Sequence, residues 1–410
     1  MEQQVKFDQV IHCGCGMDVH KKTVVATIRR SDTDFETREF DTYTRSLKEL
    51  REWCKSEGVT HIAMESTGIY WRPIYNIMEE DFEIILVNAR HIKNVPGHKT
   101  DKKDSRWISK LLLSGLLKGS FIPPREIREI RDLVRYKKKI IGQISSEKNR
   151  VIKILEDCNL KLSSVFSDVS GASASKMIND IIEGNDEVEG LMEHIHGKVQ
   201  APRSEIRKAL EGTLTNHHRN MLRLVKMSIE GKEKIIEELD RQIGEAVEKY
   251  AVEIDNLQTI PGVGKESAIR IVSEIGVDMS RFPDENHLSS WAGMSPGSNE
   301  SAGKKKSTRV IHGNKHIQTT LVECGWGATR KKDGLLKRKF ASLVTRRGKK
   351  KALMAIGHKI IIAAYFVIKN KAEYREPLLN DDPKRKNKQV KNYLAKLKEL
   401  GYEVEVKNVA

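Results

Sequence analysis

Residues 10–41 read VIHCGCGMDVHKKTVVATIRRSDTDFETREFD, and this stretch decides the fold. Val10 to Met17 is a short, largely apolar run closed by Asp18. Thr23 to Arg29 is a second apolar run, and Phe35 to Asp41 a third with alternating character. Apolar runs this short, with period two where they alternate, mark strands. The links between them are short enough for hairpins, so three antiparallel strands are predicted. Working outward, Ser46 to Glu57 places Leu47, Leu50, Trp53 and Cys54 at helical spacing. Val59 to Met64 is a fourth strand, followed by Glu65; after a short helix, Glu83 to Asn88 is the fifth.

The order βββαβαβ, antiparallel first and crossing over later, is that of the RNase H-like fold. The expected class is α/β plus α, with an RNase H-like (RuvC-like) domain at residues 8–125. Residues 126–250 read as helical. Ile130, Val134, Ile141, Ile144, Val151 and Leu155 keep a three-four spacing, interrupted by Lys137 and Lys148. A second run, Leu222, Val225, Ile229, Ile236, Leu239, Ile243, Ala246 and Tyr250, is interrupted by Lys232. Two such runs suit a coiled coil, within one chain or between two, and equally two amphipathic helices of a bundle. Residues 163–216 between them read as a linker-like helical insertion. Residues 251–375 form a further compact region, and 376–410 a basic tail, partly flexible.

The chain has 410 residues, with 73 Lys and Arg against 57 Asp and Glu, a formal charge of +16. Such an excess suggests a polyanionic partner, because basic groups that meet phosphates release condensed counterions. Five dispersed cysteines, an odd number, argue against a disulfide framework and for a reducing, cytoplasmic setting. Cys13 and Cys15 share a strand face, but no second Cys or His pair has zinc-site spacing, so they read as core residues. No uncharged run approaches a membrane span, and Ile360 to Ile368 reads as part of a buried helix.

Asp18 and Glu65 each follow an apolar strand. Asp101 and Asp104, in KTDKKD, share a face if that segment is helical. First and fourth strands are neighbours in an RNase H-like sheet, so these four carboxylates would converge and repel. Two Mg²⁺ ions between them would resolve the repulsion and suit phosphoryl transfer. The alternative is four unrelated acids. His20 beside Asp18 reads as a support to the site or as part of a surface turn. One face of the first long helix carries Arg128, Arg131, Arg135, Lys138 and Lys139 and is expected to be exposed. Ile260-Pro261-Gly262-Val263-Gly264 between helices suits a helix–hairpin–helix. Its glycines can take positive φ and leave N–H groups for phosphate, though a plain helix-stopping turn reads the same way.

Three blocks in this order, GMDVHK at 16–21, ESTGIY at 65–70 and KTDKKD at 99–104, resemble the DEDD transposases, the family of the IS-one-ten-type insertion sequences and the Piv invertases. The second half resembles it too, in WAGMSP at 291–296, NESAGK at 299–304, Gly313-Asn314, ECGW at 323–326 and RRGKK at 346–350. The resemblance runs over residues 8–375. It implies a metal-bound quartet of Asp18, Glu65, Asp101 and Asp104 and a nucleophilic Ser301, which would form a phosphoserine link to DNA. Ala302 stands between Ser301 and Gly303 where some members have Gly directly, which makes Ser298 the fallback. Gln318 stands where an Arg is frequent. Lys304, Lys305, Lys306 and Arg309 would hold the phosphate backbone, and Arg346, Arg347, Lys349, Lys350 and Lys351 form a second basic run. The resemblance further implies coiled-coil helices, a helical transposase domain, a homo-oligomer (dimer or tetramer) whose serine meets carboxylates of another copy, and a bridge RNA that selects DNA. Alternatives are a Piv-like invertase without guide RNA and a RuvC-like nuclease or junction resolvase that uses water.

Overall fold

In a computed structural model the described residues are 9–66, 68–88, 101–197, 199–297, 299–301, 304–307, 310–332, 334–376, 383–402 and 404; within these, the side chains of 101–103, 299–301, 304–307 and 383–389 are not described. The chain divides into two compact units, Met1–Ile122 and Pro123–Ala410.

Unit 1 runs β1 (Gly14–Val19), β2 (Thr23–Arg29), β3 (Phe35–Asp41), α1 (Thr44–Ser56), β4 (His61–Glu65), α2 (Trp71–Met78), β5 (Glu83–Val87) and α3 (Asp101–Leu113). The sheet order is β3-β2-β1-β4-β5. β1, β2 and β3 are antiparallel, whereas β4 and β5 run parallel to β1. The predicted order βββαβαβ is therefore present. The first strand differs in its bounds: Asp18 lies inside it, because Asp18 pairs with Val25 and Val19 with Val24 before the chain turns.

Alternation along the strands builds two faces. Cys15, Met17, Val19, Ile62 and Met64 join Leu47, Leu50, Trp53, Ile74 and Met78 in one core beneath α1 and α2. Cys13 packs against that core. Burial raises the Cys15 thiol well above its ordinary value. The opposite face is covered by α3, where Ala63 clusters with Ile108 and Leu112.

Unit 2 begins with α4 (Arg125–Asp157), followed by α5 (Leu162–Val165), α6 (Ala172–Glu183), α7 (Val188–Met192) and α8 (Arg203–Ala209). Then comes α9 (Asn216–Val247). The pairings Glu126 with Lys249, Lys137 with Asp240, Lys232 with Glu147 and His218 with Asp157 run α4 and α9 antiparallel within one chain. Ile140, not Ile141, turns inward: they are 4% and 39% exposed. Lys137 does not break the seam. It is buried with its ammonium between Asp240 and Glu266. Burial opposes its charge, but these two hydrogen bonds prevail and raise its pKa. The insertion is not a linker: Cys158, Phe166, Met177, Ile181, Leu191 and Ile206 form a core of its own at one end of the pair.

The rest is α10 (Ala251–Gln258), α11 (Lys265–Ile275), α12 (Glu285–Trp291), a hairpin of β6 (Asn299–Ser301) and β7 (Lys304–Ser307), α13 (Lys315–Ala328), α14 (Leu335–Arg347), α15 (Lys349–Asn370) and α16 (Pro383–Glu399). Among the described residues α15 is the helix long and apolar enough to cross a membrane. Here it is a core helix, with Ile356, Ile360, Ile361 and Ala364 fully buried. The basic tail contains the seventeen-residue helix α16.

Candidate functional site: a carboxylate face and a serine hairpin

Met17 pairs with Met64 across the parallel strands β1 and β4, and the next residues are Asp18 and Glu65. Both belong to the face covered by α3. The helix lies against this face without a gap. A Cβ on Gly16 would stand 2.3 Å from Ser109 N and 2.5 Å from Ser105 O, and one on Gly14 would stand 2.8 Å from Leu112 Cδ2. Going from Gly14 to Gly16 therefore moves about one turn toward the N-terminus of α3. A further step of two strand residues, about 6.6 Å, matches roughly one more helical turn of about 5.4 Å. Asp18 thus comes level with the first turn of α3, which carries Asp101 and Asp104. Ala63 faces Ile108, so Glu65, two residues on, comes level with Asp104.

Polar contacts beneath α3 fix its height. Thr27 Oγ1 lies 2.8 Å from Ser105 Oγ, and Arg29 Nε donates to Ser109 Oγ at 3.1 Å. Neither serine stood out in the sequence. The available signal was their helical spacing, four and eight residues after Asp101. Asp18 is 8% exposed, and His20 Nε2 lies 3.1 Å from its Oδ2. Glu65 and Asp104 are half-buried. The side chain of Asp101 lies outside the described residues. Among those residues no group of three or more His, Cys, Asp or Glu is close enough to hold a metal ion.

In unit 2 the serine block forms a hairpin. Ser301 pairs with Lys304 at its closed end, and Glu300 pairs with Lys305. Pro296 and Val310 bridge its base. The side chains of Ser301, Lys304, Lys305 and Lys306, and the whole of Ser298 and Arg309, lie outside the described residues. The base is clasped by two glycines. Gly293 has φ +68°, and a Cβ on Gly313 would stand 2.2 Å from Gly293 N. Asn314 then caps α13, accepting from His316 N at 2.9 Å, and its Nδ2 donates to Glu274 Oε2 at 2.6 Å. Gln318 Nε2 donates to Gly293 O at 2.9 Å. The WAGMSP and Gly-Asn blocks therefore have a structural reason: they hold the platform of the serine hairpin.

The basic face of α4 is not the exposed stripe expected. Helix α11 packs on it and supplies Glu274, whose side chain is 4% exposed. Arg135 grips both oxygens of Glu274 at 2.8 Å, and Arg131 donates to Glu274 O at 2.6 Å and Ser273 O at 3.1 Å. Burial pushes the Glu274 carboxyl up. The Arg135 hydrogen bonds, the charges of Arg131 and Arg135 and the Asn314 bond outweigh it, and the pKa is lowered. Arg128 donates to Pro123 O at 3.1 Å. Lys139 is exposed, whereas the Lys138 ammonium is buried. The α10–α11 turn also differs from expectation. Only Gly262 has positive φ, +88°, and its open side is filled by α13: a Cβ there would stand 2.2 Å from Cys324 O. Gly264, at φ −95°, is the exposed cap of α11.

Residues 15–160, which carry the carboxylates, match a transposase family of DEDD, IS110 type. Residues 254–341, which carry the serine hairpin, match the transposase IS116/IS110/IS902 family. A relative from Sinorhizobium fredii (strain NBRC 101917 / NGR234), named "Putative transposase y4qE", is 22% identical over 250 residues, covering 60% of this chain and 52% of the relative. The chain spans about half the length of that curated relative.

Proposed function

This chain belongs to the IS110-type transposase family, and from that premise we propose that it cuts and rejoins DNA as a transposase or site-specific recombinase. The observation that carries the reading is the carboxylate face: adjacent parallel strands carry Asp18, next to the last residue of β1, and Glu65, the last of β4, beneath a helix whose first turn carries Asp101 and Asp104. We read unit 1 as RNase H-like, supported by its strand order and its change from antiparallel to parallel pairing. The donor set is all carboxylate oxygen, which suits a hard divalent cation such as Mg²⁺; Asp18, Glu65, Asp101 and Asp104 would hold two. When bound, such ions stabilise the charge that develops in phosphoryl transfer.

Ser301 is the nucleophile in this reading, supported by the family match and by its place at the closed end of a hairpin opposite Lys304. Its oxygen gives up a proton and bonds to phosphorus; the bond from phosphorus to a deoxyribose oxygen breaks, and that oxygen takes up a proton. The phosphoserine ester preserves the bond for rejoining by a DNA hydroxyl. Lys304, Lys305, Lys306 and Arg309 hold the strand. A bridge RNA as second partner is supported by the charge of +16. The serine of one copy serves the carboxylates of another in a dimer or tetramer.

Cleavage of a DNA substrate in Mg²⁺ tests the carboxylate part. Asp18→Asn, Glu65→Gln and Asp104→Asn should each abolish cleavage while melting near the wild-type temperature. Near-normal cleavage by two of the three would reject a shared site.

A further inference from the structure

A cleft in unit 2 lies between α4, α11 and α13. Arg135, Lys138, Arg270, Ser273, His316 and Thr320 are among the side chains that line it. Its charges do not balance. The Glu274 carboxylate is saturated by Arg135, Arg131 and Asn314, and Arg270 is held by Glu323 at 3.1 Å. Lys138 remains, with its ammonium nitrogen buried and no hydrogen-bond partner among the described residues. Four cations thus surround two carboxylates. A buried ammonium without a partner is costly, and an anion or a water entering the cleft would complete it. Arg135 and Arg270 stand half-open beside it, and His316 is exposed at the rim. Partial burial and then the Arg135 charge push His316 below the ordinary histidine value.

We propose that this cleft is an oxyanion site that seats one backbone phosphate of a bound nucleic acid, with Lys138 as its principal charge and His316 and Arg270 at its mouth. The proposal rests on the reading of the chain as a nucleic-acid enzyme, but it concerns binding and is independent of Ser301 and the carboxylates. The contact is to backbone, so it serves any sequence. It also sits at a junction that matters: the same α11 carboxylate, Glu274, ties α4 to the cap of α13 and so to the hairpin platform.

The test uses the full chain and the variants Lys138→Met and Lys138→Gln. Binding to labelled DNA and RNA duplexes of unrelated sequence is followed by anisotropy across a salt series. A single ionic phosphate contact predicts affinity lower by about tenfold and a salt slope shallower by about one, equally for all sequences. Without nucleic acid, Lys138→Met should melt at a higher temperature than wild type, since the stranded charge is gone. Wild-type affinity and salt slope in both variants would overturn the proposal. So would a lowered melting temperature with unchanged binding, which marks a structural lysine. Calorimetry with inorganic phosphate separates the sources: phosphate binding lost in Lys138→Met while nucleic-acid affinity stays at wild type would assign the cleft to a free anion and overturn it. Loss of cleavage in Ser301→Ala or Asp18→Asn with intact binding bears on the catalytic reading alone.

Discussion

Gly16 of β1 and Ser109 of α3 lie backbone against backbone: a Cβ at residue 16 would stand 2.3 Å from the Ser109 amide nitrogen. The proposed carboxylate site depends on this closeness, because α3 would bring Asp101 and Asp104 toward the strands that carry Asp18 and Glu65. Gly16→Ala should push α3 off the sheet. Expected are a loss of about 1–3 kcal/mol in denaturant melts and a loss of cleavage larger than the stability change explains. At Gly14 the nearest atoms belong to the Leu112 and Leu113 side chains rather than to backbone, so Gly14→Ala should be milder in both measurements.

Glu274 is the second pivot. Glu274→Ala would strand Arg131 and Arg135 and release Asn314, at a cost of about 3–5 kcal/mol by chemical denaturation. The carboxyl has a lowered pKa in the fold, so its contribution is present above the ordinary glutamate value of 4.5 and is lost as pH falls through the lower folded value. Wild-type stability should therefore drop across that acidic window more steeply than that of Glu274→Gln. Parallel pH profiles would contradict the assignment.

Lys137 behaves differently, because its partners are exposed. Asp240 and Glu266 have side chains 48% and 60% open to solvent, so removing the lysine strands no buried charge. Lys137→Met should stay within about 1 kcal/mol of wild type in denaturant melts, whereas Lys137→Ala leaves a cavity and should cost about 2 kcal/mol or more. A large loss in Lys137→Met would show that the ion pairs themselves hold α4 to α9 and α11.

The strands of unit 1 were legible because Thr23–Arg29 and Phe35–Asp41 are short and bounded by turn residues, so apolar pattern and length agree. The pairing partner was not legible: only contact with Val25 shows that Asp18 lies within β1. Lys137 looked like a break in an apolar seam because periodicity scores a residue alone, while its burial depends on Asp240 and Glu266, distant in sequence. Arg131 and Arg135 looked like a solvated face for the same reason, since Glu274 arrives from another helix. The packing role of Gly262 and Gly313 needs a neighbour's backbone, which no local pattern contains. Candidate carboxylates could be named from the ends of apolar runs; the serines that seat α3, Ser105 and Ser109, could not.

Gly313→Ala would place a methyl group 2.2 Å from Gly293 N. The platform of the serine hairpin should shift and Ser301 chemistry should fail, with unit 1 unaffected. Hydrogen exchange should show faster amides in α13 and the residues around Gly293, and unchanged protection in β1 and β4. Unchanged exchange together with full activity would show that the two glycines do not hold the hairpin platform.

The most direct measurement asks whether Ser301 attacks DNA. Protein and labelled substrate are mixed in Mg²⁺, denatured, and resolved for a covalent adduct. Expected are an adduct in wild type, none in Ser301→Ala, none in Asp104→Asn, and partial recovery when those two variants are mixed, since serine and carboxylates would come from different copies. Ser298→Ala should form the adduct normally. An adduct that survives in Ser301→Ala and disappears in Ser298→Ala would move the nucleophile, and cleavage by wild type with no adduct at any time would contradict the serine mechanism in favour of attack by water.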